Sequence, residues 1–159
     1  MLNNIPLHDL LPTIQEITNT GKEASFTPDG ISMRPMLYGG RDEIVLVKPT
    51  FPLKKYALPL YVRKNGNIVL HRVIKAQSIN GCNVYTMRGD NTFENEMGIT
   101  NEQIIAVVTR FKRNGVWHST EEKGYLLYCK IWHMVFPLRK LFKRAIGLLR
   151  RTYRKIKKF

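Results

Sequence analysis

Between Lys22 and about His118 the chain runs as short stretches rich in β-branched and aromatic residues, cut at close intervals by glycine and asparagine turns. Glu43–Val47, Asn67–Ile74, Cys82–Met87 and Gln103–Phe111 read as strands, and Asn80-Gly81 and Asn114-Gly115 are the dipeptides that close hairpins. Such a pattern predicts a mainly β core. One stretch is irregular: Lys55–Tyr61 contains Pro59, which cannot donate to a ladder, so a strand boundary is expected inside it. Ahead of the β region, Leu7, Leu10, Leu11, Ile14 and Ile17 recur at helical spacing and predict a helix within the first twenty residues, stopped at Thr18-Asn19-Thr20-Gly21. With 159 residues and 43% hydrophobic content the chain can bury one core, and no internal repeat divides it.

Charge splits the sequence into two parts. Residues 1–122 carry 14 Lys and Arg against all 12 Asp and Glu, whereas residues 123–159 carry 12 basic residues and no acid. The second part is amphipathic: Leu138, Leu141, Phe142, Ala145, Ile146, Leu149, Tyr153 and Ile156 keep i, i+3/i+4 spacing. Arg139, Lys140, Lys143, Arg144, Arg150, Arg151, Arg154 and Lys155 fill the other side, and Pro137 suits the first turn. A basic amphipathic helix has three possible partners: an anionic membrane surface, nucleic acid, or the preceding domain. Rows of leucine favour lipid over a phosphate backbone, which is read by cations and stacking planes, so nucleic acid is the unlikely partner. Tyr125–Leu138 is apolar enough to pose the question of a span, but 14 residues rise only about 21 Å against a hydrocarbon core of about 30 Å. Interfacial attachment is therefore expected, peripheral and on the cytoplasmic face, with an extracytoplasmic placement still open. The first ten residues lack the basic start and apolar run of a signal peptide.

Three blocks carry chemistry-bearing residues. Gly30-Ile31-Ser32-Met33-Arg34-Pro35 places a hydroxyl at a constrained bend, His71-Arg72-Val73 fixes an imidazole on a strand, and Arg88-Gly89-Asp90-Asn91 ends the next apolar stretch with a carboxylate. Taken singly, each has an ordinary structural reading as a turn residue, a packed histidine or a polar turn. The ordered set of serine, histidine and acid is sufficient for nucleophilic cleavage of a peptide bond. Over about Gly21 to Gly115 it resembles the serine peptidase superfamily of signal peptidases and LexA-like self-cleaving repressors. Ser32-Met33-Arg34-Pro35 matches the Ser-Met-x-Pro box, Gly89-Asp90-Asn91 matches the Gly-Asp-Asn box, and His71 occupies the base position before Arg72-Val73. A histidine there is similar to the archaeal and endoplasmic-reticulum branch, and the compact bacterial signal-peptidase-like proteins are the nearest likeness. The chain departs from the family at Ala57, near where an aspartate is usual.

The resemblance implies a barrel-like folded sheet over residues 1–122 with a short N-terminal helix, followed by the basic helical tail at 123–159. It also implies an endopeptidase that cleaves a signal, leader or precursor peptide at or near a membrane. Ser32 is then the nucleophile, His71 its base, and backbone N–H groups at the Ser32-Met33 turn the donors to the tetrahedral oxygen. Asp90 is the first choice to orient His71 and Glu96 the competitor. No cofactor is implied, and His8, His118 and His133 lack metal-ligand spacing. Cys82 and Cys129 are expected to stay reduced. The reading of a different class is a non-catalytic module on the same fold that binds membrane or nucleic acid. A self-cleaving repressor fits poorly, because fewer than 30 residues precede the serine block.

Overall fold

The computed structural model describes residues 7–156, with side-chain surroundings for residues 9–147. The side chains of Leu7, Leu149, Tyr153, Ile156, Arg150, Arg151, Arg154 and Lys155, which belong to the expected amphipathic patterns, lie outside the described residues, as does that of His8.

Helix α1 spans Leu7–Asn19. It holds Ile14 in the core, and Thr18 closes it by donating its hydroxyl to the Ile14 carbonyl at 2.8 Å. Among the described residues nine strands follow: β1 Ala24–Phe26, β2 Glu43–Val47, β3 Pro59–Val62, β4 Ile68–Leu70, β5 Arg72–Ile79, β6 Cys82–Arg88, β7 Glu96–Thr100, β8 Ile104–Arg113 and β9 Val116–Ser119. Helices α2, Lys123–Met134, and α3, Phe136–Ile156, complete the order.

The strands form two antiparallel sheets. The larger runs β1-β2-β8-β3-β4 with β9 also paired to β8, and the smaller runs β5-β6-β7. Neither closes on itself, so the architecture is mainly β but not the barrel expected from sequence. The break falls at His71. The stretch read as one strand, Asn67–Ile74, divides there: Ile68–Leu70 pairs with β3, and Arg72 onward pairs with β6. Because the chain changes sheets at this residue, the backbone cannot continue one ladder through it.

Turn chemistry accounts for both hairpins foreseen. Asn80 and Gly81 adopt φ 51° and 80°, and Asn114 and Gly115 adopt φ 49° and 82°, the paired positive values of a two-residue connection. Pro59 sits at the first position of β3, opposite Val107, where its missing N–H does least damage inside an interior strand. Leu53, Tyr61, Val73, Tyr85, Met87, Ile99 and Ile104 form a buried cluster drawing on both sheets.

The chain separates into two compact units, the first ending at Leu126 and the second beginning at Leu127. The boundary thus falls inside α2, four residues later than the charge pattern placed it, because Tyr125 is buried with the β unit. In the second unit Leu138, Leu141, Phe142 and Ile146 are all exposed, Phe142 by 71%. Among the described residues no helix is long and apolar enough to cross a membrane.

Candidate active site

Ser32 is carried by the loop between β1 and β2. Met33, Met36 and Leu37 are buried and pin that loop to the core, while Ser32 remains half-buried. The Leu37 N–H donates to the Met33 carbonyl at 3.0 Å and the Gly40 N–H to the Pro28 carbonyl at 2.9 Å, bracing the bend at both ends. Gly39 packs directly on the Gly30 backbone, leaving no room there for a side chain. Ser32 lines a cavity of about 430 Å³ whose apolar walls include Phe26, Leu60, Ile68 and Leu70.

His71 is only 3% exposed, and its N–H donates to the Pro59 carbonyl at 3.3 Å. Its Nδ1 lies 2.9 Å from Oε1 of Glu96, the first residue of β7. The Glu96 carboxylate also accepts from the Tyr61 hydroxyl at 2.9 Å and from Arg63 Nε at 2.7 Å and Nη2 at 2.5 Å. Burial raises the Glu96 pKa, but the bonds from Arg63 and Tyr61 and the nearby positive charge outweigh it and hold the carboxyl below its ordinary range. Tyr61 is pushed well above its ordinary value by burial and by Glu96, and so stays a donor. Burial lowers the His71 pKa, assisted by the charge on Arg63 and only partly opposed by Glu96.

These directions fix the tautomer. An ionised carboxylate can only accept, so the hydrogen between Glu96 and His71 sits on Nδ1, which leaves the lone pair on Nε2. That nitrogen faces Gly89. A Cβ placed on Gly89 would lie 2.7 Å from the Ser32 carbonyl oxygen and 2.9 Å from His71 Nε2, so the two atoms are separated by no more than the sum of those distances. The Asn91 N–H donates to the same Ser32 carbonyl at 2.7 Å, and Asn91 Nδ2 donates to the Ile31 carbonyl at 3.2 Å. The Gly-Asp-Asn turn therefore clamps the serine loop against the imidazole.

Asp90 has a different partner from the one expected. Its Oδ1 accepts from Arg72 Nε at 2.8 Å and its Oδ2 from Arg72 Nη2 at 2.7 Å, a bidentate pair in which both side chains are nearly inaccessible. Successive residues of an extended chain send side chains to opposite sides, so the acid that meets Arg72 is not the acid that meets His71. The carboxylate on His71 is Glu96. Tyr61 and Arg63, which hold that carboxylate, were not singled out in the sequence; Tyr61 lies in β3 and Arg63 one residue past its end, and nothing in their local sequence marks them.

Among the described residues no group of three or more His, Cys, Asp or Glu is placed to hold a metal ion, and neither Cys82 nor Cys129 is in a disulfide. No protein-family model, curated protein or solved structure matches the chain.

Proposed function

We propose that this chain is a serine endopeptidase of the signal-peptidase-like type. Ser32 Oγ attacks the scissile carbonyl, His71 Nε2 takes the hydroxyl proton and passes it to the leaving amine, and Glu96 holds the imidazole and stabilises its protonated form. Water then attacks the acyl-serine, with His71 again as base, releasing the second product. The observation that carries the reading is the meeting of the Ser32 loop and His71 Nε2 across Gly89, with an ionised carboxylate on the opposite ring nitrogen. Two open antiparallel sheets joined at the residue that bears the base also support a folded-sheet core of the signal peptidase and LexA kind.

A peptide substrate suits the site. Strand β4 is the terminal strand of the larger sheet and leads directly into His71, so an extended segment pairing with its open edge runs past the cavity beside Ser32. The tail favours an anionic membrane as partner. Exposed Leu138, Leu141, Phe142 and Ile146 supply the apolar face, and twelve cations without one acid in residues 123–159 repel a second copy of the same helix. Signal, leader or precursor peptides held at that surface are the substrate class.

A fluorophosphonate, which phosphonylates only an activated serine, tests the reading. Mass spectrometry is expected to place one adduct on Ser32, lost in Ser32→Ala and in His71→Ala. Folded full-length protein that stays unlabelled identifies instead a non-catalytic binding module.

A further inference from the structure

Tyr125 stands in the first turn of α2, 5% exposed, and its hydroxyl bridges two groups of the β unit. It accepts from Arg72 Nη1 at 2.6 Å and donates to the Tyr56 carbonyl at 2.8 Å. Its ring also lies against the Arg72 guanidinium, 5.1 Å from centroid to Cζ, and against Phe111. Tyr56 is held at φ 75°, a left-handed backbone that a non-glycine residue adopts only under constraint, and its own N–H donates to the Val73 carbonyl at 2.8 Å. Both bonds of the Tyr125 hydroxyl therefore converge on the chain immediately around His71.

The connection continues to the reacting groups. Arg72 follows His71 in sequence and grips both oxygens of Asp90. Asp90 lies between Gly89, packed on the His71 ring, and Asn91, bonded to the Ser32 carbonyl. A guanidinium this deeply buried keeps one orientation only while its donors have acceptors, since an unmet donor in a dry interior is costly.

We infer that Tyr125 is a positioning residue for the Ser32 and His71 pair, acting through Arg72 and Asp90 and making α2 part of the peptidase machinery. The inference rests on the peptidase reading. It extends the working unit past the serine, histidine and Gly-Asp-Asn blocks to a helix that carries none of the reacting groups, and it assigns the tyrosine hydroxyl a role distinct from the packing of its ring.

Tyr125→Phe keeps the ring and removes only the hydroxyl. With full-length protein and a fluorophosphonate, the maximal inactivation rate is expected to fall about tenfold while the probe concentration at half-maximal rate changes less than about twofold. Ile14→Ala, a core truncation in α1 at a residue whose side chain makes no bond to the network, serves as the stability control. Below both melting temperatures it is expected to label at the wild-type rate even where it melts lower than Tyr125→Phe. Wild-type labelling that is unchanged in Tyr125→Phe overturns the inference and leaves the peptidase reading standing, as does equal slowing in Ile14→Ala. Absence of labelling in the wild type overturns both.

Discussion

Glu96→Gln separates the two acids proposed for His71. In the native site every neighbour of the carboxylate is a donor: Arg63 Nε and the Tyr61 hydroxyl on Oε2, Arg63 Nη2 and His71 Nδ1 on Oε1. A glutamine keeps one acceptor. With its oxygen on the His71 side only the charge that stabilises the imidazolium is lost; with its oxygen on the Tyr61 side, its NH₂ faces Arg63 and His71, and the imidazole is driven to accept at Nδ1 and carry its hydrogen on Nε2. That tautomer has no lone pair for Ser32. A wrong tautomer in a serine–histidine–acid site costs about 10³- to 10⁴-fold in rate, or about 4–5.5 kcal/mol of barrier. Stability is expected to change less, by about 1–2 kcal/mol, because the Arg63 and Glu96 pair is partly solvated, its side chains 34% and 23% exposed. For a chain of this size that is a melting shift of about 2–8 °C. Fluorophosphonate kinetics beside a thermal melt measure both numbers. Asp90→Asn should show the opposite balance: it leaves the buried Arg72 guanidinium without its ion partner, a loss of about 3–5 kcal/mol in folding. Labelling of Glu96→Gln within about threefold of wild type refutes the assignment of Glu96.

Gly89→Ala forces a Cβ to within 2.7 Å of the Ser32 carbonyl and 2.9 Å of His71 Nε2, and is expected to cut labelling at least about a hundredfold; a fully active alanine variant would show that the serine loop and imidazole do not meet there. Burial holds the His71 pKa below its ordinary 6.5, so labelling should rise with pH through a midpoint below 6.5, and a midpoint at or above 7 contradicts the geometry. The depressed His71 and Glu96 values also mean that the unfolded chain binds protons the native one does not, so unfolding free energy should fall as pH drops below 6.5 and further as it passes 4.5. Chemical denaturation at pH 7.5, 5.5 and 4.5 checks the sign. Replacing Leu138, Leu141 and Phe142 together by serine removes exposed apolar area and is expected to weaken flotation with anionic vesicles by about a hundredfold or more, whereas unchanged flotation excludes that face as the anchor.

What the sequence discloses follows the range of the forces involved. Turn dipeptides act locally, so Asn80-Gly81 and Asn114-Gly115 announce their hairpins, and the spacing of Leu10 and Ile14 announces α1. Strand β7 is harder to see, because Gly98 interrupts it and Met97 points to solvent, which erases the alternation a half-buried strand normally shows. The division of Asn67–Ile74 into two sheets is equally hidden, since Ile68, Val69, Leu70 and Val73 favour extended backbone whichever partner they find. At the site, Ser32 and His71 stand in blocks recognisable by their neighbours. The partner of His71 depends on which strand end arrives beside it, a long-range matter that gave Asp90 and Glu96 comparable standing until the register placed them. Tyr61 and Tyr125 left no mark at all, because a tyrosine with a bonded hydroxyl and one that only packs have the same surroundings in sequence.

On the peptidase reading, the change of sheet at His71 ties activity to completed folding. The histidine stands where one sheet hands the chain to the other; its carboxylate arrives with the smaller sheet, and the serine loop is anchored at a strand of the larger. On that reading a chain with only one sheet assembled holds nucleophile, base and acid in separate places, so fluorophosphonate labelling is expected only once both sheets have formed.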